Sequence, residues 1–140
     1  MPEFVVYHSP DRMGYSADTV PGFSILTNKN VPSVVGSRVW LLTGEGTPRT
    51  YYLRGHFTPT RRTRTEESGF VWLVEGPRSS GVKLPRRRWP VLNDTPWFED
   101  FRRAQGSFAF GLQPVRDTRF VRGLATALRR AQRSRWIGST

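Results

Sequence analysis

The sequence contains no cysteine, only two histidines and no long hydrophobic run. The lack of cysteine excludes disulfide bonds and thiolate metal sites. A zinc site would need carboxylates beside His8 and His56, so we expect neither a metal ion nor a cofactor. No run of about 18 apolar residues is present, and the N-terminal residues MPEFVVYHSPDR lack the pattern of a signal peptide. The sequence therefore predicts a soluble, cytoplasmic protein with no membrane contact.

Acidic residues are also scarce. Eleven Asp and Glu stand against 22 Lys and Arg, which gives a net charge of +11 and a pI near 11.4. A small domain this basic usually binds a polyanion, and nucleic acid is the most common one. Lys29 and Lys83 are the only lysines, but a GC-rich genome would explain the preference for arginine. The excess of positive charge predicts DNA or RNA as the partner.

The chain of 140 residues has the usual length of one domain with its own core, and we predict a single domain over residues 1–140. Its first part consists of short β-type segments separated by Gly, Pro and polar turns. The clearest feature is a hairpin, in which GEGTP joins a strand at 39–42 to one at 49–57. Residues 58–68 are predicted as a loop or a frayed strand end. Further strands are predicted at 4–7, 70–74 and 107–112.

Two helices are predicted in the last third of the chain. The first has Thr95 as N-cap, Pro96 as first helical residue and Gly106 as the stop. The second covers about 118–136, where apolar residues recur with helical spacing. Its apolar stripe is Phe120, Leu124, Leu128 and Ala131, and its arginines lie largely on other faces: Arg119, Arg122, Arg129, Arg130 and Arg133. This pattern predicts a basic C-terminal helix.

Catalytic motifs are missing from the sequence. It has no Gly-x-Ser-x-Gly elbow, no Gly-rich phosphate loop before a lysine and no HExxH. His8 and His56 could act as general acid and base on an RNA phosphodiester, with arginine stabilising the charge. They could equally be a turn residue and a solvent-facing strand residue. The sequence favours no catalytic activity, and a small ribonuclease-type enzyme is the alternative.

Aromatic residues concentrate in the segment 89–114, which holds two Trp, four Phe and the polar turn NDTP. Trp89 and Trp97 flank that turn. Each could line a pocket or act as a hydrophobic staple, and stacking a base on such an indole contributes about 1–3 kcal/mol. Trp40 and Trp72 lie inside apolar strands, so packing in a core is the simpler expectation for both.

Arginines form two dense clusters in predicted loops. A run of like charges often makes only a solvated surface, but loops of this kind can also hold phosphates beside a base pocket. The Arg-rich face of the C-terminal helix is a third candidate surface. We predict phosphate binding by two sets of residues: Arg61, Arg62 and Arg64, and Arg86, Arg87 and Arg88.

The order of these elements resembles the PUA-like superfamily, especially its EVE, YTH and ASCH branches. The segments that carry the resemblance are FVVYHSPDR, GSRVWLL, YYLRGHF and QGSFAFGLQPV. VGSRVWLL is similar to the G-D-x-V-W strand opening of these families, with Ser37 in place of the usual Asp. The resemblance implies an α+β fold, a PUA-like curved β-barrel of about five to six strands with peripheral helices.

PUA-like domains typically bind RNA or modified DNA, and EVE and YTH domains hold a modified base in an aromatic cage. The resemblance therefore implies a nucleic-acid-binding module that reads a modified or extruded base, as in the reader part of a modification-dependent restriction system. A basic RNA-associated protein without a base pocket is a further alternative. Under the first reading, the predicted pocket residues are Trp40, Trp89, Trp97, His8, Asp11 and Asn93.

Overall fold

The computed structural model describes residues 3–8, 22–66, 69–106 and 111–137. Within these ranges the chain forms eight strands and two α-helices. The strands are β1 (Glu3–His8), β2 (Phe23–Thr27), β3 (Arg38–Glu45), β4 (Thr50–Phe57), β5 (Arg61–Arg64), β6 (Trp72–Gly76), β7 (Gly81–Lys83) and β8 (Gln113–Val115). The helices are α1 (Phe98–Ala104) and α2 (Thr118–Ile137).

The strands belong to two sheets. A five-stranded sheet has the order β7-β4-β3-β1-β8, and a three-stranded sheet has the order β2-β6-β5. The β1–β3 pair is parallel, and the other named pairs are antiparallel. The predicted α+β class is confirmed. Among the described strands no pairing joins the two sheets, so they do not close into a barrel.

The five-stranded sheet lies between two hydrophobic cores, because successive side chains of a strand point to opposite faces. On β3, Trp40 and Leu42 face the core that α1 and α2 cover, whereas Val39 faces the core shared with the three-stranded sheet. The helix-side core also contains Leu53, Phe98, Phe101, Phe120, Leu124 and Leu128. The sheet-side core also contains Phe4, Val6, Phe23, Ile25, Phe57 and Val74. The fold is therefore layered as helices, large sheet, small sheet.

The predicted hairpin is present as β3 and β4, but its second strand contains a β-bulge. Leu41 is opposite Gly55 and Leu42 is opposite Leu53, so Arg54 has no partner residue on β3. A bulge of this kind shifts the alternation of the side chains after it. Leu53 and Phe57 consequently enter different cores, although a strict period of two would place them on the same face.

The C-terminal helix is confirmed as α2, and the four residues of its predicted apolar stripe are all buried: Phe120, Leu124, Leu128 and Ala131. The start of α1 was predicted wrongly. Thr95 does not cap it, since the Thr95 hydroxyl donates to the Leu92 carbonyl oxygen at 2.7 Å and the N-cap residue is Trp97. The predicted stop is correct, because Gly106 follows the C-cap with a φ of +58°.

Other segments differ from the sequence-based expectations. Residues 61–64, predicted as part of a loop or a frayed end, form β5 at the edge of the small sheet. Four residues of the predicted strand at 107–112 lie outside the described residues, and the strand observed nearby is Gln113–Val115. Neither described helix combines the length and apolar character needed to cross a membrane. The described residues contain no group of three or more His, Asp or Glu side chains arranged to hold a metal ion.

Candidate nucleic-acid interface

The chain alongside β4 leaves the sheet between Leu84 and Pro90. The Leu84 amide donates to the Arg54 carbonyl oxygen at 2.9 Å, and the Leu53 amide donates to the Pro90 carbonyl oxygen at 3.2 Å. The residues between these two bonds, 85–89, loop out of the sheet, and we call them the arginine loop. A proline at each boundary lacks an N–H group, which interrupts strand pairing. The sheet edge thus projects three consecutive arginines and a tryptophan.

The arginine loop is held by local hydrogen bonds. Arg86–Arg88 form one turn of 3₁₀ helix, in which the Arg88 amide donates to the Pro85 carbonyl oxygen at 2.8 Å. The Trp89 indole N–H donates to the Leu84 carbonyl oxygen at 3.0 Å. Because this bond satisfies the polar edge of the indole, the rest of the half-buried ring is an apolar, π-rich surface.

Three side chains surround the Trp89 ring. Tyr52 lies tilted against it, with ring centroids 6.1 Å apart. The guanidinium carbons of Arg54 and Arg86 lie 5.3 Å and 5.6 Å from the ring centroid. Arg54 is buried, with 5% of its surface exposed, and it occupies the bulge in β4. No pattern in the sequence indicated Arg54, because a bulge position becomes visible only when the strand register is known.

An open groove of about 490 Å³ lies between the arginine loop and the C-terminal half of α2. Its walls therefore come from two segments that are distant in the sequence. The predicted phosphate-binding residues Arg87 and Arg88 meet the predicted base-stacking residue Trp89 in this groove. Its lining residues are Arg87, Arg88, Trp89, Pro90, Arg130 and Ala131.

The charge of the groove is largely uncompensated. Arg86, at its border, pairs with Glu45 at 2.5 Å. Arg87, Arg88 and Arg130 form no ion pair with any carboxylate in the described part of the chain. Three guanidinium groups without acidic partners around one concave surface favour the binding of an anion.

Trp40 does not belong to this groove. Its side chain is completely buried, at 0% exposure, and its indole N–H donates to the Glu3 carboxylate at 3.0 Å. The expectation of a core residue is confirmed. The predicted role of Trp40 in a base cage is wrong, because a base cannot contact a ring that has no accessible surface.

Trp97 and Asn93 have structural contacts instead of a place in the groove. The Trp97 ring packs against Gly123 of α2 so closely that a Cβ atom at that position would overlap the indole. The Asn93 amide oxygen accepts from the Tyr51 amide at 2.7 Å, and its NH₂ group donates to the Arg49 carbonyl oxygen at 3.1 Å. Asn93 therefore connects the polar turn to the end of the hairpin through hydrogen bonds. Trp97 packs between α1 and α2.

The two histidines occupy separate places in the large sheet. His8 ends β1 opposite Thr43 of β3, and His56 of β4 lies opposite Trp40, three positions earlier in β3. The side chain of His8 and the whole of Asp11 lie outside the described residues. The structure therefore tests neither the catalytic role nor the pocket role considered for His8, and it does not test the pocket role predicted for Asp11.

His56 is half-buried and does not face solvent as a simple strand residue would. Its ring lies 4.9 Å from the Trp40 ring, and its Nδ1 atom is buried without a hydrogen-bond partner among the described residues. Burial, and then the nearby positive charge of Arg38, lower the pKa of His56 below its ordinary value. His56 does not line the groove.

The cluster Arg61, Arg62 and Arg64 lies on β5, in the three-stranded sheet, and does not join the arginine loop. Arg61 pairs with Glu75 at 2.7 Å. The two predicted phosphate-binding clusters therefore belong to different parts of the fold, and the arginines of β5 do not line the groove.

No protein-family model, no curated protein and no solved structure matches this chain. Its function is therefore inferred from the chemistry of the groove.

Proposed function

We propose that this protein binds single-stranded nucleic acid, or an extruded base, in the groove beside Trp89. The observation that carries the proposal is the meeting of an accessible indole with three arginines that lack acidic partners: Arg87, Arg88 and Arg130. Guanidinium groups hold phosphate oxygens through charge-assisted hydrogen bonds. An indole stacks on a base of any sequence, because every base has a π-face.

Binding begins with electrostatic attraction between the net charge of +11 and the phosphate backbone. Arg87 and Arg88 hold the backbone on one wall of the groove and Arg130 on the other. The base then stacks on Trp89. An unpaired base is favoured, because removing a base from a duplex costs a few kcal/mol.

The proposal extends to a relationship with the PUA-like superfamily and to a modified base as the target, although the described strands form two separate sheets and not the curved barrel of that superfamily. The position of the GSRVW segment supports the relationship, because it opens a strand as in that superfamily, with β3 starting at Arg38. The base would stack on one tryptophan, Trp89, rather than enter a cage with Trp40 and Trp97.

The groove is tested by the triple variant Arg87→Gln, Arg88→Gln, Arg130→Gln, using labelled single-stranded DNA and RNA at several salt concentrations. We expect weaker binding and a log–log salt slope smaller by about one unit for each phosphate contact removed. Including oligonucleotides with modified and unmodified bases in the same titration tests the PUA-like extension.

A matched control removes the same charge elsewhere. Arg61, Arg103 and Arg119 each pair with a carboxylate and do not line the groove. Replacing these three by Gln should change affinity much less than the groove variant. Equal losses in the two triple variants would mean that only the overall charge matters, and the groove proposal would then be abandoned.

A further inference from the structure

The small sheet carries a second tryptophan with arginines on its ring. Trp72 starts β6, and the guanidinium carbons of Arg62 and Arg64 lie 4.0 Å and 5.4 Å from its ring centroid. We call these three residues the Trp72 stack. Trp72 is half-buried and belongs to neither hydrophobic core, so its predicted core role is wrong.

Strand register explains why the stack forms. Arg64 is opposite Trp72 and Arg62 is opposite Val74, and directly opposite residues of an antiparallel pair share a face. Val74 is buried in the sheet-side core, so the Trp72 stack continues that core face outward to the edge strand β5. Arg61 has the opposite orientation and pairs with Glu75.

The two arginines of the stack are positioned but not neutralised. Arg62 donates a hydrogen bond to the side-chain oxygen of Asn30, which helps to hold its guanidinium group over the indole. Neither Arg62 nor Arg64 forms an ion pair with a carboxylate in the residues that the structure describes. Each guanidinium has several N–H donors, so donors remain for a ligand.

We propose that the Trp72 stack is a second contact site for single-stranded nucleic acid, independent of the Trp89 groove. A base adds to the stack of planar groups, and its flanking phosphates bind Arg62 and Arg64. An acidic peptide would use the charges but not the flat surface, so the stacked geometry favours nucleic acid. The inference rests on the proposed function in one respect, that the ligand is nucleic acid.

The two sites lie on opposite sides of the large sheet. The groove uses α2 on the helix side, whereas the Trp72 stack belongs to the small sheet on the other side. A single strand that contacts both sites must therefore pass around the molecule. Two linked contacts bind more tightly than either alone, so affinity should rise with oligonucleotide length once both sites are reached.

The experiment uses the full chain labelled with 5-fluorotryptophan, which gives one ¹⁹F signal for each of the five tryptophans. Signals are assigned with single Trp→Phe variants. The probe is a mixed-sequence single-stranded DNA of roughly 20 nucleotides, longer than the footprint of one typical single-strand site. We expect the signals of Trp72 and Trp89 to shift and that of the buried Trp40 to stay in place.

The outcomes separate the two proposals. A Trp72 shift that persists in the Arg87→Gln, Arg88→Gln, Arg130→Gln variant supports an independent second site. A Trp72 shift without a Trp89 shift supports this inference and removes the groove proposal. The inference is overturned if DNA does not shift the Trp72 signal in the parent. It is also overturned if the shift disappears in the triple groove variant. An equal Trp72 shift with polyglutamate also overturns it, because that ligand has charge but no bases.

Matched variants test the residues themselves. Trp72→Ala should weaken binding about thirtyfold, the middle of the range for losing one stacked base. Arg64→Gln should weaken it more than Arg61→Gln, although both remove one charge from the same strand. If Arg61→Gln and Arg64→Gln have the same effect, the orientation set by the register is irrelevant, and the second site is refuted.

Discussion

Trp40 and Trp89 have similar neighbours but different exposure. The Trp40 ring has the Arg38 guanidinium at 4.9 Å and donates its indole N–H to Glu3; the Trp89 ring has Arg54 and Arg86 over it and donates to Leu84. Arg38, however, pairs with Glu3 at 2.7 Å, and Trp40 is completely buried. Ion pairing of the arginine on the ring does not separate the two sites, since Arg86 also pairs with Glu45. The difference is that the Trp89 ring is accessible and lines a groove whose own arginines have no acidic partner among the described residues.

The largest expected effect concerns Trp40. Replacing it with Ala removes a buried indole from the helix-side core and should lower the free energy of unfolding by about 3–5 kcal/mol. Trp89→Ala should cost less stability, because its ring is half-buried. It should instead weaken binding of the oligonucleotide by about 1–3 kcal/mol. Urea unfolding and oligonucleotide titration of both variants measure the contrast. A Trp40→Ala protein as stable as the parent would contradict the assignment of Trp40 to the core.

A smaller effect is expected where Trp97 meets α2. Gly123→Ala would ordinarily stabilise a helix by about 0.8–1 kcal/mol. At this position the new methyl group overlaps the Trp97 indole. We therefore expect overpacking to lower the free energy of unfolding by about 1–3 kcal/mol.

The control for this prediction is a double-mutant cycle measured by chemical denaturation. Adding Trp97→Ala removes the overlap, so Gly123→Ala should be less harmful in that background. Additive effects of the two substitutions would show that Trp97 does not pack on Gly123. They would contradict the assignment of Trp97 to the packing between α1 and α2.

The smallest expected effect is a pH dependence at His56. The folded protein lowers the pKa of His56 by burial and by the charge of Arg38, so it disfavours the protonated form. The stabilising contribution is therefore complete above the unfolded pKa of about 6.5 and is lost as pH falls from there through the lower folded pKa.

Urea unfolding of the parent and of His56→Gln between about pH 5 and pH 7.5 tests this sign. The parent should lose stability on acidification within this range, and the variant should lose less, since carboxylates act on both proteins alike. Parallel curves for the two proteins would show that His56 titrates as it does in the unfolded chain.

Local sequence patterns predicted the elements that depend on neighbouring residues. The hairpin follows from two β-rich runs around a Gly-rich turn, and α2 follows from an apolar stripe with helical spacing. The bulge at Arg54 and the strand β5 were not predicted. A bulge is defined by the partner strand, and β5 exists because Arg61–Arg64 pairs with β6, so neither is visible in local hydrophobicity.

The candidate site was only partly predictable for the same reason. The sequence indicated Trp89 and the three arginines before it, but it also proposed Trp40, Trp97 and Asn93, which the structure places in packing or backbone contacts. It gave no reason to join Arg130 to Trp89, because these two residues meet only when α2 packs beside the arginine loop.

The sequence by itself determined the charge of +11, the absence of thiol chemistry, the hairpin and the basic C-terminal helix, since composition and local periodicity suffice for these. Only the tertiary structure decided which tryptophans remain accessible and which arginines remain without acidic partners. Accessibility and ion pairing depend on strand register and on contacts between distant segments. Those contacts bury Trp40, pair Arg61 with Glu75, and leave Trp72 and Trp89 at the surface with arginines on their rings.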